Sequence, residues 1–163
     1  MDAQPPPPVR RAAAADSALI ARLLDAFNRE FGVPTPGVTV LEHRLEGLLR
    51  PEAVRCYLAH DPGRPSDTVG FALVTLRPTV WYDGPVVSLD ELYVAPAHRD
   101  RGLGGALLAR VVAEAAASGA GAVQIDVDEG DTAAQRFYRR HGFSETDPDT
   151  GERGIAFWRE LEA

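Results

Sequence analysis

The sequence predicts one mixed α/β (α+β) domain with six to seven strands and about four helices. Helix-type apolar rows alternate along the chain with short β-branched runs. Two of these runs flank an Asp-Pro-Gly turn, which predicts an antiparallel hairpin. The 163 residues, 45% hydrophobic and 25% charged, suffice for one buried core. No repeat or internal linker divides them, so we assign residues 9–163 to a single domain and Met1–Pro8 to a disordered proline-rich tail.

The first half of the chain predicts a short strand, two helices and the hairpin. Asp16 is suited to cap the first helix, and the Pro- and Gly-rich residues 32–37 end it. Cys56 lies in the first hairpin strand and is predicted to be a small core residue. The predicted elements are a strand at Val9–Ala14, helices at Ser17–Phe31 and Thr39–Leu49, and strands at Val54–Ala59 and Thr68–Leu76.

The second half predicts four strands and two helices. Asp131 is suited to cap the shorter helix, and Gly142 follows the end of that helix. The predicted strands are Val86–Val94, Ala122–Val127, a strand from Phe143 onward and Gly154–Leu161, and the helices are one opened by residues 99–105 and one at Thr132–His141.

The stretch around Val86–Val94 carries the strongest functional signal. The strand is apolar but contains Asp90 and Glu91, which are costly to bury. Residues 99–105, RDRGLGG, then open a helix, although each glycine inside a helix costs about 1 kcal/mol relative to alanine. Exposed amides at a helix start and the positive end of the helix dipole bind anions, and two arginines add charge. This pattern favours a phosphate-binding turn over an ordinary Gly-rich entry to a helix.

Residues 131–143, DTAAQRFYRRHGF, form a second signature. Asp131, Ala134 and Tyr138 fall at positions i, i+3 and i+7, so they share one face of a helix. Taken alone, this pattern is as consistent with an amphipathic helix carrying a half-buried tyrosine as with a functional site.

Together the two stretches resemble motifs A and B of the GNAT superfamily of N-acetyltransferases. An acidic strand, a Val-x-Pro exit, Arg-x-x-Gly-x-Gly and an Ala/Leu-rich helix follow in the order of motif A. The second stretch is similar to Asn-x-x-Ala-x-x-Phe-Tyr of motif B, followed by Gly-Phe. The resemblance covers roughly Val86–Phe143, the family's cofactor-binding half. Asp131 stands where the family usually has asparagine, and an ionised aspartate can only accept hydrogen bonds.

The resemblance implies a mostly antiparallel sheet in which two parallel strands splay apart around the pantetheine arm of acetyl-CoA. By position these strands are Val86–Val94 and Ala122–Val127. Backbone groups near Leu92 to Val94 would pair with pantetheine and polarise the acetyl carbonyl. The implied cofactor-binding residues are Leu92, Tyr93, Val94, Arg99, Asp100, Arg101, Gly102, Leu103, Gly104, Gly105, Ala106, Asp131, Ala134 and Tyr138.

The resemblance also implies an acyltransferase reaction in which a neutral primary amine attacks acetyl-CoA directly. Tyr138 resembles the family's tyrosine that protonates the departing thiolate. The candidate bases are Glu91 and Asp126, either acting through a water, because an amine must lose a proton before it attacks. We favour Glu91, with Asp128 as a further candidate.

Composition narrows the partners. The 17 basic and 24 acidic residues give a net charge of −7, which argues against nucleic-acid binding and favours a cationic amine, although such charge also serves solubility. The single cysteine and four scattered histidines show no metal-ligand spacing, so we expect no metal. No apolar run approaches about 20 residues, and the N-terminus lacks a secretory pattern, so we expect a cytoplasmic protein without a membrane partner.

The acceptor stays open among small amines, amino-group antibiotics and protein lysines or N-termini. In this fold it is shaped partly by loops around Gly32–Val40 and Thr79–Pro85, which carry no motif. Trp81 and Tyr82 either wall the acceptor site or anchor a loop. Homodimerisation, frequent in the family, is also open. The alternative function is a non-catalytic acyl-CoA-binding sensor, against which the retention of Tyr138 argues.

Overall fold

The computed structural model of the protein describes residues 9–161. The predicted tail Met1–Pro8 lies outside these residues. The chain divides into two compact units, residues 1–126 and residues 127–163. The assignment of residues 9–163 to a single domain stays a prediction.

The first unit is built on one five-stranded sheet. Its strands follow chain order across the sheet; the first four pair antiparallel, and the last two pair parallel. This confirms the predicted hairpin and the mixed, mostly antiparallel sheet with two parallel strands. The strands are β1 (Val9–Arg11), β2 (Val54–Asp61), β3 (Arg64–Arg77), β4 (Val86–Val94) and β5 (Ala122–Ile125).

Helices cover both faces of this sheet. On one face the first two helices bury Ile20 and Leu41 against Leu58 and Phe71. The third helix packs on the opposite face, where the Arg110 guanidinium lies 6.0 Å from the centre of a tyrosine ring on β2. Each helix thus hides its apolar row, which is where most helical stability arises. These helices are α1 (Ser17–Glu30), α2 (Val38–Leu48) and α3 (Leu103–Ala117).

The second unit contains one helix, α4 (Thr132–Arg140), among its described residues. The Asp131 carboxylate accepts a hydrogen bond from the Ala134 amide at 2.9 Å, which satisfies a backbone donor of the first turn. Gly142 follows the helix with φ +85°. Both predicted helix signals are therefore confirmed.

The predicted strand count of six to seven is wrong for residues 9–161, which form five strands. The strands expected from Phe143 onward and at Gly154–Leu161 do not form; an isolated bridge between Thr146 and Arg153 is the only pairing within this described part of the second unit. Alternating apolar residues make a strand only when a neighbouring strand accepts their backbone hydrogen bonds. Within this chain, Gly154–Leu161 stays exposed instead.

Smaller differences concern element ends. Asp16 precedes α1 as expected, but its carboxylate binds the Arg10 guanidinium and the Ala13 amide rather than capping α1. A 3₁₀ turn at Ala14–Asp16 shortens the predicted first strand. Among residues 9–161, no helix combines the length and apolarity needed to cross a bilayer.

Candidate active site

The parallel strands β4 and β5 stop pairing halfway along β4. Their ladder runs from Val86 opposite Ala122 to Leu89 opposite Ile125, and then β5 ends. β4 continues for five more residues, to Val94, still paired with β3 on its other side. The second half of β4 therefore presents one backbone edge beyond the end of β5.

The direction of the β4 amides shows which groups lie on that edge. The Ala95 amide donates to the Val69 carbonyl at 2.8 Å, and the Tyr93 carbonyl also faces β3, 2.7 Å from where a Cβ on Gly70 would lie. Successive backbone groups alternate between the two sides of a strand. The amides of Leu92 and Val94 therefore point away from β3, toward the side where the β5 ladder has ended.

α3 begins close to the end of β4, after a sharp turn. Gly102 caps the helix with φ +78°, and a Cβ there would meet no heavy atom within 4 Å, so the backbone angle rather than crowding favours glycine. Asp100 also has a positive φ, 59°. The first helical hydrogen bond runs from the Ala106 amide to the Gly102 carbonyl at 2.9 Å. The three preceding amides point out of the helix start, and no side chain caps it.

Arg99 links this turn to α1. Its guanidinium donates to the two Glu30 carboxylate oxygens at 2.6 and 2.8 Å, and its Nε donates to the Val94 carbonyl at 2.8 Å. The same guanidinium lies 5.7 Å from the centre of the Tyr93 ring. The Arg99 side chain thus holds the end of β4 in place. The other arginine of this turn, Arg101, lies beside the β2–β3 turn instead.

Arg101 lines an open depression of about 540 Å³ together with the β2–β3 turn, including Asp61 and Arg64. The Gly63 amide holds the pKa of the Asp61 carboxyl below its usual range. Asp61 Oδ2 also lies 3.4 Å from His98 Nε2, which ties the β2–β3 turn to the segment preceding α3. Arg64 and Arg101 therefore line one depression beside the start of α3.

Glu91 lies on the sheet face covered by α1 and α2. Residues opposed in an antiparallel pair share a face, and Glu91 opposes Leu73, a member of that core. Burial raises the pKa of the half-buried Glu91 carboxyl, and the neighbouring Asp90 raises it further. Asp90 itself is the extra residue of a β-bulge; its carboxylate accepts hydrogen bonds from Thr75 at 2.6 Å and Ser88 at 2.8 Å.

The remaining predicted site residues fall in two places. Asp126 is exposed and directly follows β5, at the end of the first unit. Asp131, Ala134 and Tyr138 belong to the second unit, on α4 and its cap. There the half-buried Tyr138 ring meets the Phe143 ring edge-on, with centres 5.9 Å apart.

Sequence reasoning missed Glu30 and Asp61. Glu30 is 69 residues from Arg99, and Asp61 lies in a turn whose sequence predicts only a change of direction. No local pattern marks either carboxylate as a partner of residues 99–105, the glycine turn. Their roles depend on how α1 and the hairpin pack.

Tyr82 and Trp81 differ in how they pack. A Cβ on Gly121 would collide with the Tyr82 ring, so that ring packs directly on the residue before β5 and anchors the loop. Trp81 is 84% exposed.

Comparison with known proteins identifies the family. The model of the acetyltransferase (GNAT) family matches residues 20–143, and the chain therefore belongs to the GNAT acetyltransferase family. A presumed acetyltransferase from Arthrobacter sp. FB24 is 43% identical, covers 99% of this chain and 100% of its own, and superposes with a TM-score of 0.87. A search of curated proteins found no match.

More distant structures share the fold. The aminoglycoside acetyltransferase meta-AAC0020 from an uncultured soil metagenomic sample, solved with sisomicin, is 19% identical, with a TM-score of 0.76 and 95% and 96% of the two chains covered. AAC(6')-Iy, solved with the bisubstrate analogue CoA-S-monomethyl-acetylneamine, is 22% identical, with a TM-score of 0.73 and 94% and 98% covered.

Proposed function

We propose that the protein is an acetyl-CoA-dependent N-acetyltransferase that acts on a primary amine. The observation that carries this proposal is the juxtaposition of two sets of backbone donors. The β4 edge beyond Leu89 offers amides to an extended chain, and the α3 start that follows it offers amides to an anion. Coenzyme A matches both sets, because its extended pantetheine arm accepts hydrogen bonds from a strand edge and its pyrophosphate is an anion.

The residues at the β4 edge and at the start of α3 suit the binding of acetyl-CoA, the proposed acetyl donor. Amides at the start of α3 would hold the pyrophosphate, assisted by the helix dipole and by Arg101. The amides of Leu92 and Val94 would hold the pantetheine arm and stabilise negative charge on the carbonyl oxygen under attack. Acetyl-CoA supplies the activated thioester. Arg99 would act as a positioning residue, because its side chain is held by Glu30 and Val94.

Glu91 is the proposed base. Its raised pKa brings the carboxylate closer to the range in which a base accepts a proton at neutral pH. A bridging water would carry the proton from the substrate ammonium, and the neutral amine would then attack the thioester carbonyl. Asp126, just after the shorter strand, is the alternative base. Tyr138 is the proposed acid that returns a proton to the leaving thiolate.

The proposed acceptor class is a small cationic amine. The net charge of −7 attracts such a substrate. The structural neighbours solved with sisomicin and with an acetylneamine analogue suggest aminoglycosides as the first compounds to assay.

The test measures thiol release from acetyl-CoA in the presence of an amine panel: aminoglycosides, polyamines, amino acids and lysine peptides. We expect turnover with at least one small amine, and binding of CoA alone by calorimetry. CoA binding without transfer to any amine would favour the acyl-CoA sensor instead. Absence of CoA binding at high micromolar concentration would refute both functions.

A further inference from the structure

The β2–β3 turn brings a second arginine to the start of α3. The depression lined by Asp61, Arg64 and Arg101 contains two guanidinium groups and one carboxylate, so its charge is positive although the whole chain carries −7. All three residues belong to the first unit. Arg101 directly precedes Gly102 and already has a place beside the proposed pyrophosphate. Arg64 comes from a different part of the chain and has no role in that arrangement.

Neither arginine of the depression is neutralised by a close carboxylate. Within residues 9–161, the side chains of Arg64 and Arg101 form no salt bridge and no hydrogen bond. The Asp61 carboxylate accepts from the Gly63 amide at 3.0 Å and lies 3.4 Å from His98 Nε2. The Gly63 amide is the largest cause of the lowered Asp61 pKa, and the charge of Arg101 is the smallest. Both exposed guanidinium groups therefore keep their donors available to an anion.

CoA carries a second anionic group that suits these donors. Besides its pyrophosphate it has a phosphate monoester on the 3′-oxygen of the ribose, and only the sugar separates the two. A phosphate monoester carries about −1.5 to −2 charges at pH 7. Guanidinium groups bind phosphate oxygens through paired, charge-assisted hydrogen bonds. A ligand whose pyrophosphate lies on the amides at the start of α3 would therefore bring its second phosphate within reach of the neighbouring depression.

We propose that Arg64 binds the 3′-phosphate of CoA and thereby selects CoA over dephospho-CoA. Arg101 belongs to the turn before α3 and also lines the depression, so it would serve both phosphate positions. Arg64 can act in this way only if CoA binds at the start of α3, so the proposal rests on the proposed function. It places a determinant of donor specificity on the β2–β3 turn, outside the glycine turn.

Calorimetry with CoA and with dephospho-CoA tests this role, since the two ligands differ only in the 3′-phosphate. We expect the full chain to bind CoA about tenfold more tightly, which is the effect of one hydrogen bond between charged groups. In Arg64→Gln this preference should largely disappear, while the affinity for dephospho-CoA stays the same. Arg101→Gln should weaken the binding of both ligands, because Arg101 also serves the pyrophosphate.

Arg44→Gln is the matched control. Arg44 is exposed on α2 and has no salt bridge in the described part of the chain, so this change removes the same charge elsewhere in the first unit. The preference for CoA should stay intact. Arg64→Lys keeps a positive charge without the planar donor pair and should retain part of the preference. Added salt should reduce the preference in the unmutated protein, because salt screens exposed charges, and this readout holds even if a variant fails to fold.

Two results would overturn the role of Arg64 while the proposed function stands. One is equal binding of CoA and dephospho-CoA by the unmutated protein. The other is a preference for CoA that survives in a folded Arg64→Gln variant. If neither ligand binds at high micromolar concentration, the proposed function itself fails, and the role of Arg64 fails with it.

Discussion

The Arg99 guanidinium binds both carboxylate oxygens of Glu30, at 2.6 and 2.8 Å, across 69 residues of sequence. The same side chain donates to the Val94 carbonyl. This connection joins the C-terminal turn of α1 to the end of β4, immediately before the glycine turn. A residue whose spacing suggested a phosphate ligand thus occupies a position from which it orients the backbone.

Glu30→Gln should therefore weaken donor binding without touching the donor. Loss of a charged hydrogen-bond partner at a partly exposed site costs about 1 kcal/mol, which predicts about a fivefold rise in KM for acetyl-CoA. kcat should change less. Glu46→Gln, an exposed position on α2, is the control and should change neither. Equal losses in both variants would remove any special role for the Arg99 contact.

Gly102→Ala should destabilise the protein and impair donor binding. A side chain at φ +78° costs about 1–2 kcal/mol, equivalent to a melting temperature about 2–8 °C lower. Gly47→Ala is the matched control, because Gly47 lies in α2 with open space around it and without a positive φ. That change should stabilise by about 0.5–1 kcal/mol. A stable Gly102→Ala variant would contradict the backbone argument.

Glu91→Gln should separate stability from activity. Because burial raises the Glu91 pKa in the folded state, folding is favoured while the carboxyl is protonated, and stability falls as pH rises through that folded pKa. The variant escapes this loss, so its melting temperature should exceed that of the parent protein at pH 8 and match it near pH 4. Turnover should fall. A variant that is less stable at pH 8 would show that the ionised carboxylate is satisfied in the fold.

Tyr138→Phe should lower kcat by about 100-fold, a typical contribution of general acid catalysis, while the affinity for CoA changes little. The comparison is single-turnover acetyl transfer against calorimetric binding. Phe137→Leu tests whether disturbing aromatic packing on α4 is sufficient to produce the same effect. An unchanged kcat in Tyr138→Phe would mean that the thiolate leaves without this donor.

Cys56 should be unreactive in the folded protein. It is fully buried, and burial raises its thiol pKa to about 12, so almost no thiolate exists at pH 8. A disulfide reagent followed by absorbance should detect no free thiol until denaturant is added, and then one per chain. Rapid labelling without denaturant would contradict the placement of β2 in the core.

The sequence predicts some parts of this structure better than others. The four helices and the hairpin follow from local patterns, since apolar spacing and capping residues act within a few positions of one another. Asp131 caps the start of α4 through its carboxylate, and Gly142 follows the end of α4 because glycine adopts a positive φ without strain. The glycine turn is also a local feature, because the positive φ at Gly102 depends only on glycine's lack of a side chain. Neighbouring residues suffice to encode such features.

The rest depended on tertiary packing. The bulge at Asp90 shifts the alternation of β4, so Leu89 opposes Val74 whereas Glu91 opposes Leu73, on the other face. The partnership of Arg99 with Glu30 and the absent strand at Gly154–Leu161 likewise depend on distant residues. The periodicity of a segment indicates which secondary structure that segment can form. Strand register, ion pairs and strand formation also depend on a second segment that is distant in the sequence. By itself the sequence determined the four helices and the hairpin and predicted where an anion binds. The tertiary structure decided which of the predicted strands form and which backbone and side-chain groups face the predicted site, because both depend on contacts between distant segments.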